Sequence, residues 1–379
     1  MKVLRICYEY PPHWGGLTAG PFEISRAQAA LGCHVRFLAG GWPNRPIEPA
    51  HGITTHRLPT ALPKLNLFAS TAVAALPATL RWQQWADVIH GHQHLPVYYH
   101  LWRQRFGGST PYVLHLHVTA AGRAAKADPQ TLDSWTRRWE WPLHELSDRV
   151  GCQVADKIIC TSAAVRDEAI RHYDADPNKI AVISNGVNTS HFSPDGEHQR
   201  RALGFSAEDV VILFVGVLNQ RKRPHLLLNS LAHLPANWKI LFVGRGPLSD
   251  SVQQAAVERG WEERVRMTGF VPYPQLPTLY RTANLFALTA SYEGFPKVVM
   301  EALASSLPVM TTRSFAVDEA LRPFVTVTDD ESPAGIAAAL QASMAQTVDL
   351  EIIHSQYDWK QKAKSIAAIY RQIGVSVDR

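Results

Sequence analysis

Two carboxylates, Glu293 and Glu301, are the side chains of this sequence whose type and spacing point most directly to chemistry. Pro296 lies between them and suits the first turn of a helix, where its missing N–H costs nothing, and KVVMEALA follows it. Glu293 should therefore precede a helix on which Glu301 lies. The N-terminus of a helix presents unpaired N–H groups and a partial positive charge, which suit an anionic phosphate. Because an ionised carboxylate accepts hydrogen bonds from hydroxyls, the pair predicts a ligand with ribose or hexose hydroxyls beside a phosphate.

The elements that position these residues belong to a chain of 379 residues, which is long for one hydrophobic core and sufficient for two domains. The formal net charge of +5 comes from the first half, which has 19 basic and 14 acidic residues up to residue 190, against 19 of each after it. This mild excess favours anionic substrates or an anionic membrane surface as partners. It is too dilute for nucleic acid, which usually binds a clustered basic stripe.

The four cysteines show no paired spacing, which predicts inert thiols in a reducing compartment. No signal peptide opens the sequence. The longest apolar stretch, 67–80, is too short to span a membrane and contains Pro77. We therefore expect a cytoplasmic protein in which this stretch forms a buried helix.

The N-terminal 41 residues alternate apolar and amphipathic stretches, which predict a strand, a glycine loop, a helix and a second strand. In a parallel α/β sheet such a loop lies at the carboxyl edge of the strands, where these sheets bind ligands. Gly15, Gly16 and Gly20 do not match the dinucleotide-binding pattern, so a plain tight turn is the alternative interpretation.

Five histidines end two further predicted strands, with His90, His92 and His94 in one and His115 and His117 in the other. Alternating histidines can ligate zinc, but no acidic partner stands at ligand spacing, so the pattern favours a structural role over a metal site. We expect His115 and His117 to point to opposite faces of their strand.

Two stretches of the first half, 98–106 and 134–146, mix tryptophan and tyrosine with arginine. Such mixtures suit an interfacial or acceptor-binding surface. A helix with its tryptophans in the core and its arginines in water is the alternative.

A second α/β alternation begins after a proline-marked loop near residue 190, and an amphipathic pattern closes the chain. Two doubly wound halves predict a ligand-binding cleft between them. Seven motifs stand in order along both halves: PPHWGG, ISNGVN, FVGVL followed by Lys222, VGRGP, VRMTGFV, EGFPKVVMEALA and YDWKQKA.

This ordered set resembles glycosyltransferase family 4, whose members have the GT-B fold, an α/β architecture of two Rossmann-like domains that face each other across a cleft. The resemblance implies transfer of a hexose from a nucleotide diphosphate sugar, with the anomeric configuration retained and no metal or other cofactor required. It also implies a last helix that returns to the first domain. We therefore expect 1–190 plus 358–379 to form the acceptor-side domain and 191–357 to bind the nucleotide sugar.

The family's catalytic positions fall on residues of matching chemistry. His117 matches the cleft histidine, which lies close to the transferred sugar, and Lys222 matches the lysine that follows the FVG strand. Val217 stands where the family has an arginine, and we hypothesise that Arg221 takes over its role. Fixed cations there would stabilise negative charge on the β-phosphate. Solvated surface is the alternative for a Lys/Arg pair.

By family position, Glu301 holds the donor ribose, and Glu293 contacts the sugar and its phosphate. A solvated helix face is the alternative for Glu301, which its apolar neighbours disfavour. The further donor-binding positions implied are Gly15, Gly16, Gly244, Phe270, Val271, Gly294, Phe295, Pro296, Lys297 and Val298.

The chain departs from the family where glycines are usual. Residues 305–308 read SSLP in place of Cys-Gly-x-Pro, and TTRSFAVDE lacks the paired glycines before its acidic residue. Because glycine allows close backbone approach, we expect the pocket to be reshaped there. The D-x-D at Asp174 and Asp176 resembles a metal-binding pattern, but its proline-containing context favours a surface turn.

The sequence offers no obvious nucleophile, which favours a same-face displacement in which the leaving phosphate takes the acceptor proton. The donor would be a UDP- or GDP-sugar, with adenine also open as the base. The acceptor would be a glycan, a glycolipid or a lipid-linked precursor, met at the inner face of the membrane by peripheral attachment. A catalytically silent nucleotide-sugar-binding protein is the second hypothesis, and nothing in the chain favours a third, an epimerase or a phosphorylase.

Overall fold

The computed structural model describes residues 1–7, 19–40, 50–58, 67–93, 108–126 and 141–375. These residues form two compact units, one of residues 1–185 with 359–379 and one of residues 186–358. The sequence-based expectation sets the boundaries at 190 and 358, close to these points.

The first unit is built on a seven-stranded parallel sheet in the order β3-β2-β1-β4-β5-β6-β7. Its strands are β1 (Lys2–Cys7), β2 (His34–Ala39), β3 (Ile53–Arg57), β4 (Val88–His92), β5 (Tyr112–Leu116), β6 (Lys157–Cys160) and β7 (Ile180–Val182). Its helices are α1 (Ala19–Ala30), α2 (Leu67–Trp82), α3 (Ala120–Lys126), α4 (Trp141–Val154), α5 (Ala163–Tyr173) and, from the end of the chain, α12 (Trp359–Gln372).

The sheet of the first unit is covered on both faces, as parallel sheets require. Val3 and Leu4, neighbours on β1, point to opposite faces and enter different apolar clusters. The cluster around Val3 contains the buried face of α12, including Trp359 and Ile366. The C-terminal helix therefore packs on the first unit, although the domain that precedes it in sequence is the second.

The second unit is built on a six-stranded parallel sheet in the order β10-β9-β8-β11-β12-β13. Its strands are β8 (Val210–Val215), β9 (Trp238–Val243), β10 (Val265–Gly269), β11 (Leu285–Leu288), β12 (Val309–Thr312) and β13 (Val325–Thr328). Its α-helices are α6 (Pro224–Ser230), α7 (Ser249–Glu258), α8 (Leu276–Tyr280), α9 (Lys297–Ala304), α10 (Pro333–Ser343) and the short α11 (Leu350–Ile352), which runs into a π-helical turn, Ile353–Tyr357.

Apolar strand residues alternate between the two faces of this second sheet as well. Leu213 and Phe286 pack on one side, whereas Ile212 and Phe214 pack on the other. Where the chain enters and leaves this unit, the two passes lie side by side, because the Val187 N–H donates to the Tyr357 carbonyl at 2.9 Å.

Two smaller expectations concern 67–80, where the helix is present but Pro77 is exposed and only Ala75 and Thr79 of 74–80 are buried, and the D-x-D turn, which is confirmed. The apolar stretch 67–80 lies within α2, which continues through Pro77, and among the helices of the described ranges none is both long and apolar enough to cross a membrane. The D-x-D forms an exposed turn, in which Asp174 has a left-handed backbone that ends α5 and Asp176 accepts from the Asn178 N–H at 2.9 Å.

Candidate active site

Of the two carboxylates, Glu293 lies just before α9 and Glu301 lies on it. Pro296 is extended (φ −75°, ψ 118°) and the helix begins at Lys297, so the proline is the N-cap and not the first helical residue. Glu293 lies in the loop before it, where its N–H donates to the Ser314 carbonyl at 2.7 Å. The backbone therefore holds Glu293 beside the helix N-terminus, as predicted.

Glu293 forms ion pairs with both predicted cations through one oxygen. Lys222 Nζ lies 2.6 Å and Arg221 Nη1 2.5 Å from Glu293 Oε1. Lys222 is buried, with 8% of its surface exposed, whereas the Arg221 side chain is 43% exposed. A solvated surface pair is therefore wrong for Lys222.

Burial and the ion pair together shift the pKa of both partners. Burial lowers the pKa of Lys222, and Glu293 opposes that effect. Burial alone would raise the pKa of Glu293, but Lys222 and Arg221 outweigh it and hold this pKa below its usual range. Glu293 is thus ionised at neutral pH between two positive charges.

The turn after β8 positions the two cations. The Lys222 N–H donates to Asn219 Oδ1 at 3.0 Å, and an added Cβ on Gly216 would lie 3.6 Å from Lys222 Cε. Val217, in the place of the family's arginine, is 52% exposed at the same strand end. The geometry therefore brings Val217 and Lys222 to one edge of the sheet.

Arg223, which sequence reasoning missed, anchors this turn to the neighbouring strands. Its guanidinium donates to the Thr289 carbonyl at 2.7 Å and the Ala290 carbonyl at 3.0 Å, and it forms a two-pronged ion pair with Glu331. Its backbone is left-handed (φ 49°), uncommon for a side chain of this size. The only sequence signal was a third basic residue after Arg221 and Lys222.

Glu301 is buried on α9, with 6% of its surface exposed, so a solvated helix face is wrong for it. Its Oε2 accepts a hydrogen bond from the Tyr280 hydroxyl at 2.7 Å. Burial raises the pKa of Glu301, and the Tyr280 bond partly opposes the rise. Sequence reasoning missed Tyr280, since nothing in the amphipathic pattern of α8 singles it out.

Three predicted donor-binding positions, Gly244, Phe270 and Val271, lie at the carboxyl ends of β9, which neighbours β8, and of β10, which neighbours β9. An added Cβ on Gly244 would lie 2.0 Å from the Gly216 carbonyl oxygen, and Gly244 has a φ of +133°. Only glycine fits there, because two strand ends touch through their backbones. Phe270 is 64% exposed, and Val271 packs against the core.

The remaining predicted donor-binding positions, around α9, differ in exposure. Gly294, Phe295 and Pro296 are buried, and Lys297 and Val298 are half-buried. The Phe295 ring packs edge-on against Phe315 and stacks with Tyr357 at centroid distances of 6.1 and 6.4 Å. The Phe295 side chain therefore packs in the core, and this residue can contact a ligand only through its backbone.

The expected reshaping at residues 305–308 is not supported at the backbone. Ser306, at the family's glycine position, has the left-handed φ of 62° that glycine adopts easily. The chain therefore keeps the glycine-type turn after α9 despite the substitution.

In the first unit, His117 directly follows β5 and is buried, with its Nε2 3.0 Å from His92 Nδ1. Its ring stacks on His115 at 4.5 Å with planes 4° apart. The expectation that the two point to opposite faces is wrong, because residues two apart on a strand share a face.

The histidines of β4 and β5 form a buried stack with Arg5. Ligand atoms of His90, His92 and His115 lie within 4.8 Å of one another, close enough for a metal. Arg5 Nη1 lies 2.7 Å from His92 Nε2, so a cation bound by these histidines would face a permanent guanidinium charge. Burial, with Arg5, lowers the pKa of His115 to about 3. The geometry supports a neutral hydrogen-bonded stack and not a metal site.

Several sequence-based expectations fall outside the described residues. They are Gly15, Gly16, His94, the whole aromatic-basic stretch 98–106 and residues 134–140 of the second stretch. The described end of that second stretch opens α4, on which Leu143 and Leu146 are each 51% exposed.

Two parallel-sheet, Rossmann-like units, with acidic and basic groups gathered at the strand ends of the second, define a glycosyltransferase of the GT-B class. The models of two families, described as Glycosyltransferase Family 4 and Glycosyl transferases group 1, match residues 14–191 and 195–365. The chain belongs to glycosyltransferase family 4, and it is a transferase enzyme.

Its relatives include glycosyltransferases named for an acceptor and an uncharacterised one. It is 29% identical over 313 residues to a D-inositol 3-phosphate glycosyltransferase of Corynebacterium glutamicum, which covers 77% of this chain and 70% of the relative. It is 23% identical over 397 residues to an uncharacterised glycosyltransferase of Methanocaldococcus jannaschii, covering 98% of each.

Solved structures share the fold over nearly the whole chain. A sucrose-phosphate synthase of Thermosynechococcus elongatus has a TM-score of 0.83 at 22% identity and covers 99% of both chains. Anabaena HepE in complex with UDP and glucose has a TM-score of 0.73 at 19% identity, covering 97% of this chain and 98% of that one.

Proposed function

We propose that this protein is a retaining glycosyltransferase that moves a hexose from a nucleotide diphosphate sugar to a hydroxyl acceptor by a same-face displacement without a metal. The observation that carries the proposal is the ion pair of Lys222 and Arg221 with Glu293, beside the N-terminus of α9 and on the same helix segment as the buried Glu301. Together these groups match a diphosphate with hydroxyl-bearing rings at both ends.

The donor end of the proposal rests on chemical complementarity. Two cations and the start of an eight-residue helix offer positive charge to the diphosphate. Glu301, ionised, accepts from ribose hydroxyls, and Glu293 accepts from the transferred sugar once the phosphates take over its cations. HepE, which shares the fold, binds UDP and UDP-glucose, which favours a UDP-sugar here over a GDP-sugar.

In the displacement, the bond between the anomeric carbon and the β-phosphate oxygen breaks, and the acceptor oxygen bonds to the same face of that carbon. The acceptor proton passes to the departing phosphate oxygen. Negative charge therefore grows on the β-phosphate, where Lys222 and Arg221 stabilise it more strongly than in the ground state. These two side chains supply the charge that a divalent ion supplies in metal-dependent enzymes.

The first unit supplies His117 to the sugar and, in this proposal, binds the acceptor. Relatives named for D-inositol 3-phosphate make a phosphorylated polyol one acceptor to test, next to a glycan, a glycolipid and a lipid-linked precursor. Exposed Leu143 and Leu146 on α4 belong to the aromatic-basic stretch 134–146, which favours peripheral attachment to an anionic membrane surface. Four buried free thiols fit a reducing, cytoplasmic compartment.

Donor binding is tested first, by calorimetry of the full chain with UDP, GDP and ADP and with their hexose conjugates. We expect one nucleotide to bind clearly and its affinity to fall in Lys222→Ala. The hexose conjugates of the nucleotide that binds are then assayed for transfer to each acceptor class, with and without EDTA. Proton NMR of the first product formed distinguishes retention from inversion.

Three results would contradict the proposal. They are an inverted product, loss of turnover in EDTA that a divalent metal restores, and binding of a nucleotide sugar that is neither hydrolysed nor transferred. Attachment to membranes is tested separately, by sedimentation with vesicles that contain anionic or only zwitterionic lipid. Equal recovery of the protein in the supernatants of both vesicle types would contradict the proposed attachment to an anionic membrane surface.

A further inference from the structure

A fully buried arginine lies behind the histidine of the first unit that the proposed function assigns to the sugar. Arg5, on β1, has no exposed surface. Its Nη1 lies 2.7 Å from His92 Nε2, and its Nη2 donates to Gln28 Oε1. His92 Nδ1 in turn lies 3.0 Å from His117 Nε2. Arg5, His92 and His117 thus form one continuous chain of hydrogen bonds.

The guanidinium fixes the direction of every hydrogen bond in this chain. Arginine carries only donors and stays protonated in proteins. His92 Nε2 must therefore accept, and a neutral His92 then carries its proton on Nδ1. That proton points to His117 Nε2, which must accept as well. A neutral His117 is left with its own proton on Nδ1.

We propose that Arg5 is a positioning residue which, through His92, holds His117 in the tautomer protonated at Nδ1, so that His117 donates a hydrogen bond to an oxygen of the transferred sugar and does not accept a proton at Nε2. The inference rests on the proposed function for the role of His117, whereas the tautomer itself rests on the hydrogen bonds of the first unit alone.

The surroundings of the chain support a fixed, neutral relay. Burial, with the charges of His90 and Arg5, lowers the pKa of His92 well below its ordinary value, so His92 does not become a double donor. The backbone of His117 is held on both sides, since its N–H donates to Gln93 Oε1 at 3.0 Å and its carbonyl accepts from the Thr161 hydroxyl at 2.9 Å. A proton added at His117 Nε2 would face the His92 Nδ1–H, donor against donor.

A second branch from Arg5 provides a matched control. Gln28 accepts from Arg5 and donates through Nε2 to the Tyr370 hydroxyl at 3.3 Å. The Tyr370 hydroxyl oxygen lies 2.5 Å from His90 Nδ1, and His90 Nε2 lies 3.3 Å from His115 Nδ1. This branch lies in the same buried stack and runs to His115 Nδ1, whereas the Arg5–His92 branch runs to His117 Nε2.

The test measures the tautomer directly, by long-range proton–nitrogen NMR correlations of the imidazole rings in the ligand-free full chain, with His117 assigned through His117→Gln. We expect a protonated Nδ1 and a bare Nε2 on His117 in the wild type and in Tyr370→Phe. Arg5→Met, which removes the donors but keeps the length of the side chain, should give a mixture of tautomers. Arg5→Lys, which also only donates, should restore the wild-type pattern.

Kinetics give the second readout. Arg5→Met should lower kcat about tenfold, the worth of one misdirected hydrogen bond, with the donor KM changed less than twofold. Tyr370→Phe should keep wild-type turnover, and unfolding temperatures of both variants show whether a loss is merely structural. His117 protonated at Nε2 in the wild type, or an unchanged tautomer in Arg5→Met, would overturn the relay. If the tautomers behave as expected but His117→Gln turns over normally, the assigned role of His117 fails and the relay stands.

Discussion

Lys222 and Glu293 meet at 2.6 Å, Nζ to Oε1, at the carboxyl edge of the second unit's sheet, and Arg221 shares the same carboxylate oxygen. One carboxylate oxygen thus neutralises both cations assigned to the diphosphate. A bound diphosphate must compete with Glu293 for them, so the site exchanges one anion for another when the donor enters. Because Glu293 and the diphosphate are both anionic, Lys222 and Arg221 have a negatively charged partner both before and after the donor binds.

Lys222→Ala should lower kcat by roughly 10²–10³-fold, because it removes one preorganised donor aimed at charge that develops in the transition state. Steady-state transfer assays with the identified donor measure the effect. Lys239→Ala is the matched control, since Lys239 forms an ion pair with Asp209 at 2.9 Å, near the amino end of β8. An equal loss in both variants would indicate general destabilisation in place of a catalytic role.

Arg221→Ala tests whether this residue replaces the family's arginine. We expect roughly a tenfold loss of turnover, smaller than for Lys222, because the Arg221 side chain is 43% exposed and its charge is screened by water. Adding Val217→Arg to Arg221→Ala restores a guanidinium at the usual family position, on the same strand end, and should recover part of the activity. Normal donor turnover in Arg221→Ala alone would rule out the replacement.

Glu301→Gln should weaken donor binding while it stabilises the fold. A charge-assisted bond to ribose is worth about 1.5–3 kcal/mol, which predicts roughly 10- to 100-fold weaker nucleotide binding. Burial raises the folded-state pKa of Glu301, so the folded protein favours the neutral carboxyl. Its stabilising contribution is present at low pH and is lost as pH rises through that pKa. The neutral glutamine should therefore unfold at a higher temperature at pH 7, and a lower one would contradict this.

Donor affinity should depend on pH through Glu301. As pH falls through its raised pKa, the carboxylate gains a proton and loses its ability to accept from both ribose hydroxyls, so the donor KM should rise. The Tyr280 bond opposes the rise in pKa, so Tyr280→Phe should move this acidic limb to higher pH. Tyr357→Phe removes a comparable bond, to Asp318 at 3.0 Å, and should leave the limb in place. The donor KM, measured across pH in the wild type, Tyr280→Phe and Tyr357→Phe, tests this prediction.

Ser306→Gly should stabilise the protein by about 1 kcal/mol, because the left-handed backbone of Ser306 strains a residue with a side chain. Chemical denaturation measures the change. Ser305→Gly is the control, since Ser305 has an ordinary φ of −89° and a glycine there should destabilise by a similar amount. Donor KM should stay unchanged in Ser306→Gly, and a large shift would mean that the serine itself contacts the ligand.

Local pattern predicted most elements of this fold. The apolar runs of β8, β9 and β11 and the helical stretch after Pro296 appear where the sequence places them, because a parallel sheet covered on both faces makes its strands apolar throughout. The burial of Glu301 was also foreseeable from its apolar helix neighbours. The sequence could also have predicted that the side chains of His115 and His117 lie on the same face, since residues two apart on a strand point to one side of the sheet.

The sequence by itself determined the two α/β units, the family and the helix that carries Glu301, because hydrophobic period and motif order are properties of short stretches. Only the tertiary structure decided which polar atoms meet. Tyr280 reaches Glu301, Glu293 reaches Lys222, and Arg5 reaches His117 through His92 across strand neighbours that are far apart in the chain. The reason is that strand order places Arg5, His92 and His117 side by side, and that the helices and loops of the second unit meet only once its whole sheet has assembled around the core.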